Sequence, residues 1–261
     1  MSGSNVELEH MHARLSADHG AHEQDGRRGF LRQVIGGSVA VGGASLLAAC
    51  ANGGVNTAVA QTPAPESRPS PKAGTEWDLS WMERVARKPY KMAFDSPEVF
   101  NGAALAYGSA YLAGYKEAYG SDDVAVPVLI LRHAAAPMVL NDGIWERMGL
   151  GESLKLKDPT SGEPSKRNPF VGYQKGDKYS MTGAEGGLDR LIQRGAVVLA
   201  CNYALKGYGY RLKQKEPALS MDEANKIIRD NVLPGVIVMP NGIFAVGCAQ
   251  EAGAKYIRVL A

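Results

Sequence analysis

Apolar residues run almost unbroken through Val124–His133 and again through Ala196–Ala200. Runs apolar at successive positions, rather than alternate ones, predict strands buried on both faces, as in a parallel sheet covered by helices. Shorter runs at Lys91–Phe94, Val236–Met239 and Lys255–Leu260 predict three further strands. Between them the apolar spacing changes to that of helices. Asn101 to Tyr119 reads as a helix, Met138–Met148 as a helix broken around Asn141-Asp142-Gly143, and Gly187–Arg194 and Ile243–Ala252 as two more. Ser220 and Glu223 form a capping-box pattern ahead of Met221, Ala224, Ile227, Ile228 and Val232, and Pro234-Gly235 ends that helix. Ser80 and Glu83 repeat the pattern ahead of Trp81, Met82 and Val85. Strands alternating with helices at these lengths predict an α/β domain, a mostly parallel five-stranded sheet with helices on both faces.

Two rows mark the helix after Asn101. Ala103, Ala106, Ala110 and Ala113 would let it lie close to the sheet. Tyr107, Tyr111, Tyr115 and Tyr119 recur every fourth residue and line one stripe. That stripe reads either as a half-buried helix edge with its hydroxyls in water or as a subunit interface. Residues 150–186 are polar and weakly patterned, with Pro159, Pro164 and Pro169. A loop that long is functional or mobile. Arg167-Asn168-Pro169-Phe170 within it reads as a segment that docks a neighbour or covers a pocket, or as part of a disordered insertion.

The N-terminal 60 residues follow different rules. Arg27-Arg28-Gly29-Phe30-Leu31-Arg32 precedes a glycine-containing apolar run from Val34 to Ala49. That order resembles a twin-arginine export signal, which carries folded proteins across the bacterial inner membrane, so a periplasmic or exterior location is expected. The run is short for a membrane span, and Gly36, Gly37, Gly42 and Gly43 weaken it as a helix. Leu47-Ala48-Ala49-Cys50 resembles a lipobox in which Cys50 would be lipidated; Ala58-Val59-Ala60 before Gln61 suits ordinary signal cleavage. Either leaves an exported domain, and membrane association is expected only through the signal or a lipid anchor. His10, His12, His19 and His22 fall in the leader and read as polar residues that are discarded with it. Residues 61–76 hold Pro63, Pro65, Pro69 and Pro71 and read as an extended linker, leaving 77–261 as the working domain.

Charge narrows the function. Of 29 Lys and Arg residues and 27 Asp and Glu residues, 25 and 22 follow residue 60, an excess of three positive charges. That balance gives no nucleic-acid footprint. The histidine and cysteines left after the leader, His133, Cys201 and Cys248, make no zinc-ligand pattern. Gly242 and Gly247 have phosphate-loop spacing, but Cys248-Ala249 follows where a Lys-Ser/Thr pair is needed. No Gly-x-Gly-x-x-Gly follows a strand, so no cofactor is expected. Asp142 and Glu146 share a helix face and read as solvated carboxylates. Cys201 closes one predicted inner strand and His133 another. Sites in open parallel sheets form beyond such strand ends. If the strands are neighbours, the imidazole could approach the thiol, and an imidazolium or helix N-terminus beside a thiol favours the nucleophilic thiolate. Cys201 alternatively fills core space or pairs with Cys248; Cys248, inside a helix, reads as core.

Three segments resemble the DsrE/DsrF-like sulfur-relay superfamily: Ala196–Leu205 around Cys201, Pro234–Gly242, and Ala249–Ile257. Leu131-Arg132-His133 through Trp145 resembles an exported branch of DsrE-like proteins of unknown role. The resemblance spans about residues 90–260. It implies a three-layer flavodoxin-like α/β/α sandwich, assembly into trimers or hexamers, and a cysteine that carries sulfur as a persulfide. Cys201 alone matches that cysteine by position. Characterised members of that superfamily work in the cytoplasm with partner proteins, whereas export is the expectation for this chain. Three functions therefore stand at this point: sulfur binding or relay through Cys201 with a donor or acceptor protein; a non-catalytic oligomeric module that binds a small ligand or partner through the 150–186 loop; and, from the export route alone, an accessory or maturation protein co-exported with a redox enzyme.

Overall fold

A computed structural model describes residues 76–158, 161–173 and 184–260. These residues lie within a compact unit spanning Arg68–Ala261. The twin arginines Arg27 and Arg28, Cys50 and the proline-rich linker to Thr75 lie outside the described residues, as do 159–160 and 174–183.

Five strands form one sheet, all parallel: β1 (Tyr90–Ser96), β2 (Ala125–Leu131), β3 (Val197–Cys201), β4 (Val236–Met239) and β5 (Lys255–Arg258). Their order is β4-β3-β2-β1-β5. The strands β1 to β4 step across the sheet in one direction, so right-handed crossovers place their connecting helices on one face. The chain then returns from β4 to β5 at the far edge, which requires the opposite face.

The core shows that division. One apolar layer joins Leu129, Leu131 and Val198 to α2 (Ala103–Tyr119), α5 (Leu188–Gln193), α6 (Asn202–Lys215) and α7 (Met221–Asp230). The other joins Val128, Ile130 and Leu199 to α1 (Trp81–Arg87) and α8 (Gly242–Glu251). Alternate residues of one buried strand feed opposite layers, as the two-residue period of a strand dictates. The fold is thus a three-layer, flavodoxin-like α/β sandwich. Among the described residues no helix is long and apolar enough to cross a membrane.

Local physics fixes the ends of these elements. The α2 helix starts at Ala103 rather than Asn101, because Asn101 and Gly102 are left-handed at φ 52° and 85°. The expected break near Asn141 is real. A 3₁₀ segment, His133–Val139, precedes α3 (Asp142–Met148), and the Asn141 side chain accepts the Ile144 N–H at 3.1 Å to cap it. The short helix α4 (Leu150–Ser153) follows.

Ser220 and Glu223 cap each other reciprocally ahead of α7. The matching pattern at Ser80 and Glu83 forms no such box: Ser80 is helical, and its own N–H donates to Asp78 Oδ1 at 2.9 Å. Ser220→Ala is expected to cost about 1 kcal/mol and Ser80→Ala less than about 0.5 kcal/mol in urea unfolding followed by circular dichroism.

The α6 helix, Asn202–Lys215, has no counterpart among the sequence expectations. Gly207 and Gly209 lower its helical propensity. Gly209 is needed for contact, because a side chain there would collide with Asn225 of α7. The tyrosine stripe of α2 packs on β1. Tyr115 lies 4.5 Å from Tyr90 between ring centroids, and Tyr111 meets Phe94 edge-on at 5.7 Å. Tyr107, Tyr111 and Tyr115 are partly buried, whereas Tyr119 is exposed.

Several described residues of 150–186 belong to the core, among them Leu150, Leu156, Phe170 and Tyr173, while others such as Ser161, Gly162, Glu163 and Pro164 are exposed. Asn168 and Phe170 are buried. Asn168 Nδ2 donates to the Met138 and Leu140 carbonyls at 2.8 Å each, tying this segment to the chain before α3.

Candidate functional site

Right-handed packing sends the chain after β3 to one face of the sheet and the chain after β4 to the other. Between adjacent strands, such a divergence opens a crevice beyond their carboxyl ends. A cavity of about 360 Å³ lies there. Arg132 and His133 line it from the end of β2, Cys201 from the end of β3, Tyr203 and Ala204 from the first turn of α6, and Asn241, Gly242 and Ile243 from the start of α8.

Cys201 is both the last residue of β3 and the N-cap of α6. Its Sγ accepts the Ala204 N–H at 3.4 Å. Its exposure is 6%, and the surface that remains faces the cavity. Cys248 is buried in α8 within the other core layer, where burial first, then Glu251, holds its thiol above the ordinary value. Both cysteines are free thiols.

His133 lines the same cavity, since β2 and β3 are neighbours. Its left-handed backbone, φ 51°, turns the chain out of the strand. The imidazole is largely exposed, and its Nδ1 lies 3.3 Å from Glu98 Oε1, so Glu98 is the partner that engages it.

The most structured polar group at the site escaped the sequence reading as a functional element. Arg132 donates from Nε to Asp95 Oδ1 at 2.7 Å and from Nη2 to Asp95 Oδ2 at 3.0 Å. Tyr256 of β5 donates its hydroxyl to the same Oδ2 at 3.0 Å. Asp95 is nearly inaccessible, with 3% of its side chain exposed against 22% for Arg132. The hydrogen bonds to Asp95 hold the guanidinium above its ordinary value against the opposing effect of burial. Burial and the Asp95 carboxylate raise the Tyr256 phenol, which keeps it a donor. Gly242 completes the arrangement: a Cβ there would stand 2.6 Å from Arg132 Cβ and 2.7 Å from its Cδ. Only glycine lets the arginine stem lie against the start of α8.

The second cavity of note, about 570 Å³, is lined by Asp142, Glu146, Asp158, Glu163, Lys166 and Arg167 among others. Its two cations are paired, Arg167 with Asp158 and Lys166 with Glu146, while Asp142 Oδ1 accepts the Asn168 N–H at 2.8 Å. Among the described residues no group of three or more His, Cys, Asp and Glu side chains is placed to hold a metal ion.

No protein-family model matches the sequence, and no curated protein matches it. Among solved structures, the protein of unknown function MTH1491 from Methanobacterium thermoautotrophicum is similar at 15% identity, over 65% of this chain and 98% of that one, with a TM-score of 0.33.

Proposed function

We propose that the protein binds or relays reactive sulfur through Cys201, as a distant DsrE-like protein exported from the cytoplasm. The observation that carries this reading is a free thiol at the carboxyl end of an inner parallel strand, opening into a small cavity beside a fixed arginine and the first turn of a helix. A thiolate there attacks the sulfane sulfur of a donor. With thiosulfate, the new S–S bond forms as the donor's own S–S bond breaks, and the bonding pair leaves with sulfite. The product is a Cys201 persulfide anion. An acceptor thiolate then takes the outer sulfur and returns Cys201 to the thiolate, so no external oxidant or reductant is needed.

His133 stands at the mouth of the cavity, where Glu98 engages its exposed imidazole, and belongs to the same reading as the side chain next to the thiol's cavity. Assembly into a homo-oligomer and docking of a sulfur-donor or acceptor protein belong to the same reading. The partly buried tyrosine edge of α2, together with the exposed Tyr203 and Ile243 beside the cavity, supports contacts of this kind. Those two exposed side chains also favour the second reading, a module that binds a small ligand or partner without chemistry.

Intact-mass spectrometry separates the two. Incubation with thiosulfate or polysulfide is expected to add about 32 Da at Cys201, reversed by dithiothreitol and absent from Cys201→Ala. An unmodified thiol under native conditions, with function and assembly intact in Cys201→Ala, favours the binding module. The same spectrum reads the mature N-terminus, lipidated at Cys50 or beginning at Gln61.

A further inference from the structure

We infer that Arg132 is the specificity-determining residue of the Cys201 cavity and that the molecule entering it carries a small anionic group, a sulfonate, thiosulfonate or carboxylate, next to the atom that meets the thiol. The inference rests on the proposed reactivity of Cys201 and narrows its substrate class.

Four features support it. First, the arginine is fixed before any ligand arrives. Two of its nitrogens are held by Asp95, which Tyr256 holds in turn, and its stem is seated against Gly242. A side chain held in this way loses little freedom on binding. Second, the fork is incompletely used. Among the described residues Nη1 has no acceptor, and the residue lines the cavity. Arginine presents its donors in a planar fork suited to oxyanions. Third, the surroundings favour negative charge. Arg132 lines the cavity and no Asp or Glu does. The first turns of α6 and α8 also bring N–H groups that lack intrahelical acceptors. Fourth, about 360 Å³ lies at the small end of ligand pockets, which suits a compact molecule.

Asp95 does not cancel the arginine's role. Its carboxylate is sealed beneath the guanidinium and the Tyr256 hydroxyl, so an entering molecule meets the cation first.

The test uses the full chain and two alkylating probes of similar shape, anionic iodoacetate and neutral iodoacetamide. In each reaction the Cys201 sulfur forms a bond to carbon as the carbon–iodine bond breaks and iodide leaves. Peptide mass spectrometry reads the rate at Cys201 alone, and each rate is divided by that of glutathione. The iodoacetate-to-iodoacetamide ratio is expected to exceed that of glutathione by about tenfold and to fall toward it as salt is raised. Arg132→Met is expected to abolish the excess, and Arg132→Lys to retain part of it. Because Arg132→Met strands Asp95, the pair Asp95→Asn/Arg132→Met provides a second variant without the buried unmatched charge. A wild-type ratio equal to that of glutathione, or an excess that survives removal of Arg132 in the double variant, overturns the inference while leaving the thiol reading in place. A Cys201 inert to both probes overturns the thiol reading itself, and this inference with it.

Discussion

Phe170→Ala is expected to destabilise the protein by about 3–5 kcal/mol, the range for deleting a large aromatic from a closed core. Phe170 is fully buried although it sits in the longest weakly patterned stretch of the chain. Its ring meets Trp145 edge-on at 6.2 Å between centroids, and Gly102 stands close enough that a Cβ there would lie 3.1 Å from the ring. The backbone on both sides is tied down: the Phe170 N–H donates to Asn168 Oδ1 at 3.0 Å, and its carbonyl accepts the Leu188 N–H at 2.9 Å. Collapse into the vacated space would require the start of α2 and the Trp145 indole to move together, but the indole Nε1 is fixed to the Pro137 carbonyl at 3.0 Å. Urea unfolding of the full chain, with an unchanged denaturant slope, is the measurement. A loss under about 1 kcal/mol would mean that this segment is an arm packed loosely on the domain. Arg167→Ala, which removes a partly exposed ion pair with Asp158, is the control, expected to cost less than about 1 kcal/mol.

Phe170 also marks where sequence reading reached its limit. Strands β2 and β3 were legible because both faces of an inner parallel strand are buried, and that leaves a continuous apolar run. The α7 helix was legible because its start signal is local and its Ser220–Glu223 box closes within one turn; it ends at Asp230, so Val232 lies beyond it and the expected stop at Pro234-Gly235 comes four residues late. The segment around Asn168 carries no such period. Its burial comes from hydrogen bonds to Met138 and Leu140, 30 and 28 residues away. Ser80 makes the converse point: the same local letters that cap α7 failed at α1, because Asp78 captured the N–H that the box needed. The α6 helix was hidden by Gly207 and Gly209, which propensity counts against a helix, although packing against α7 requires the second of them.

The site divides along the same line. Cys201 and His133 end apolar runs, so their place beyond the strand ends followed from the pattern, and their meeting at one cavity required only that β2 and β3 be adjacent. Asp95 and Tyr256 lie on β1 and β5 and Arg132 directly follows β2, with 37 and 161 residues separating Asp95 from its two partners. Their contact depends on the order β2-β1-β5, and that order depends on where the last crossover lands. Asp95 lies one residue past the predicted strand Lys91–Phe94. A carboxylate at the end of a buried strand, where an unpaired charge is costly, was the available signal that a cation would be found nearby.

Asp95→Ala is expected to cost about 3–5 kcal/mol, because it removes the carboxylate and leaves the guanidinium of a mostly buried arginine without its partner. The lower part of that range is expected, since 22% of the Arg132 side chain reaches solvent and water can meet part of the lost interaction. Tyr256 loses its acceptor as well, but its ring is partly exposed, which limits that contribution. Removing both charges should be less harmful than removing one. Asp95→Ala/Arg132→Met is expected to recover a large share of the loss, and a double-mutant cycle on urea midpoints gives the coupling between the two side chains. A purely structural ion pair would end there. If Arg132 also sets the charge preference of the cavity, Asp95→Ala must have a second effect that stability does not report. The freed arginine can swing from its seat on Gly242, so the iodoacetate preference at Cys201 falls in the fraction of protein that remains folded, while iodoacetamide reactivity is largely retained. Stability and charge preference separate cleanly in Gly242→Ala, where the added methyl displaces the stem of Arg132 and leaves Asp95 intact. There the preference for the anionic probe should weaken although the buried carboxylate keeps a positive partner within reach.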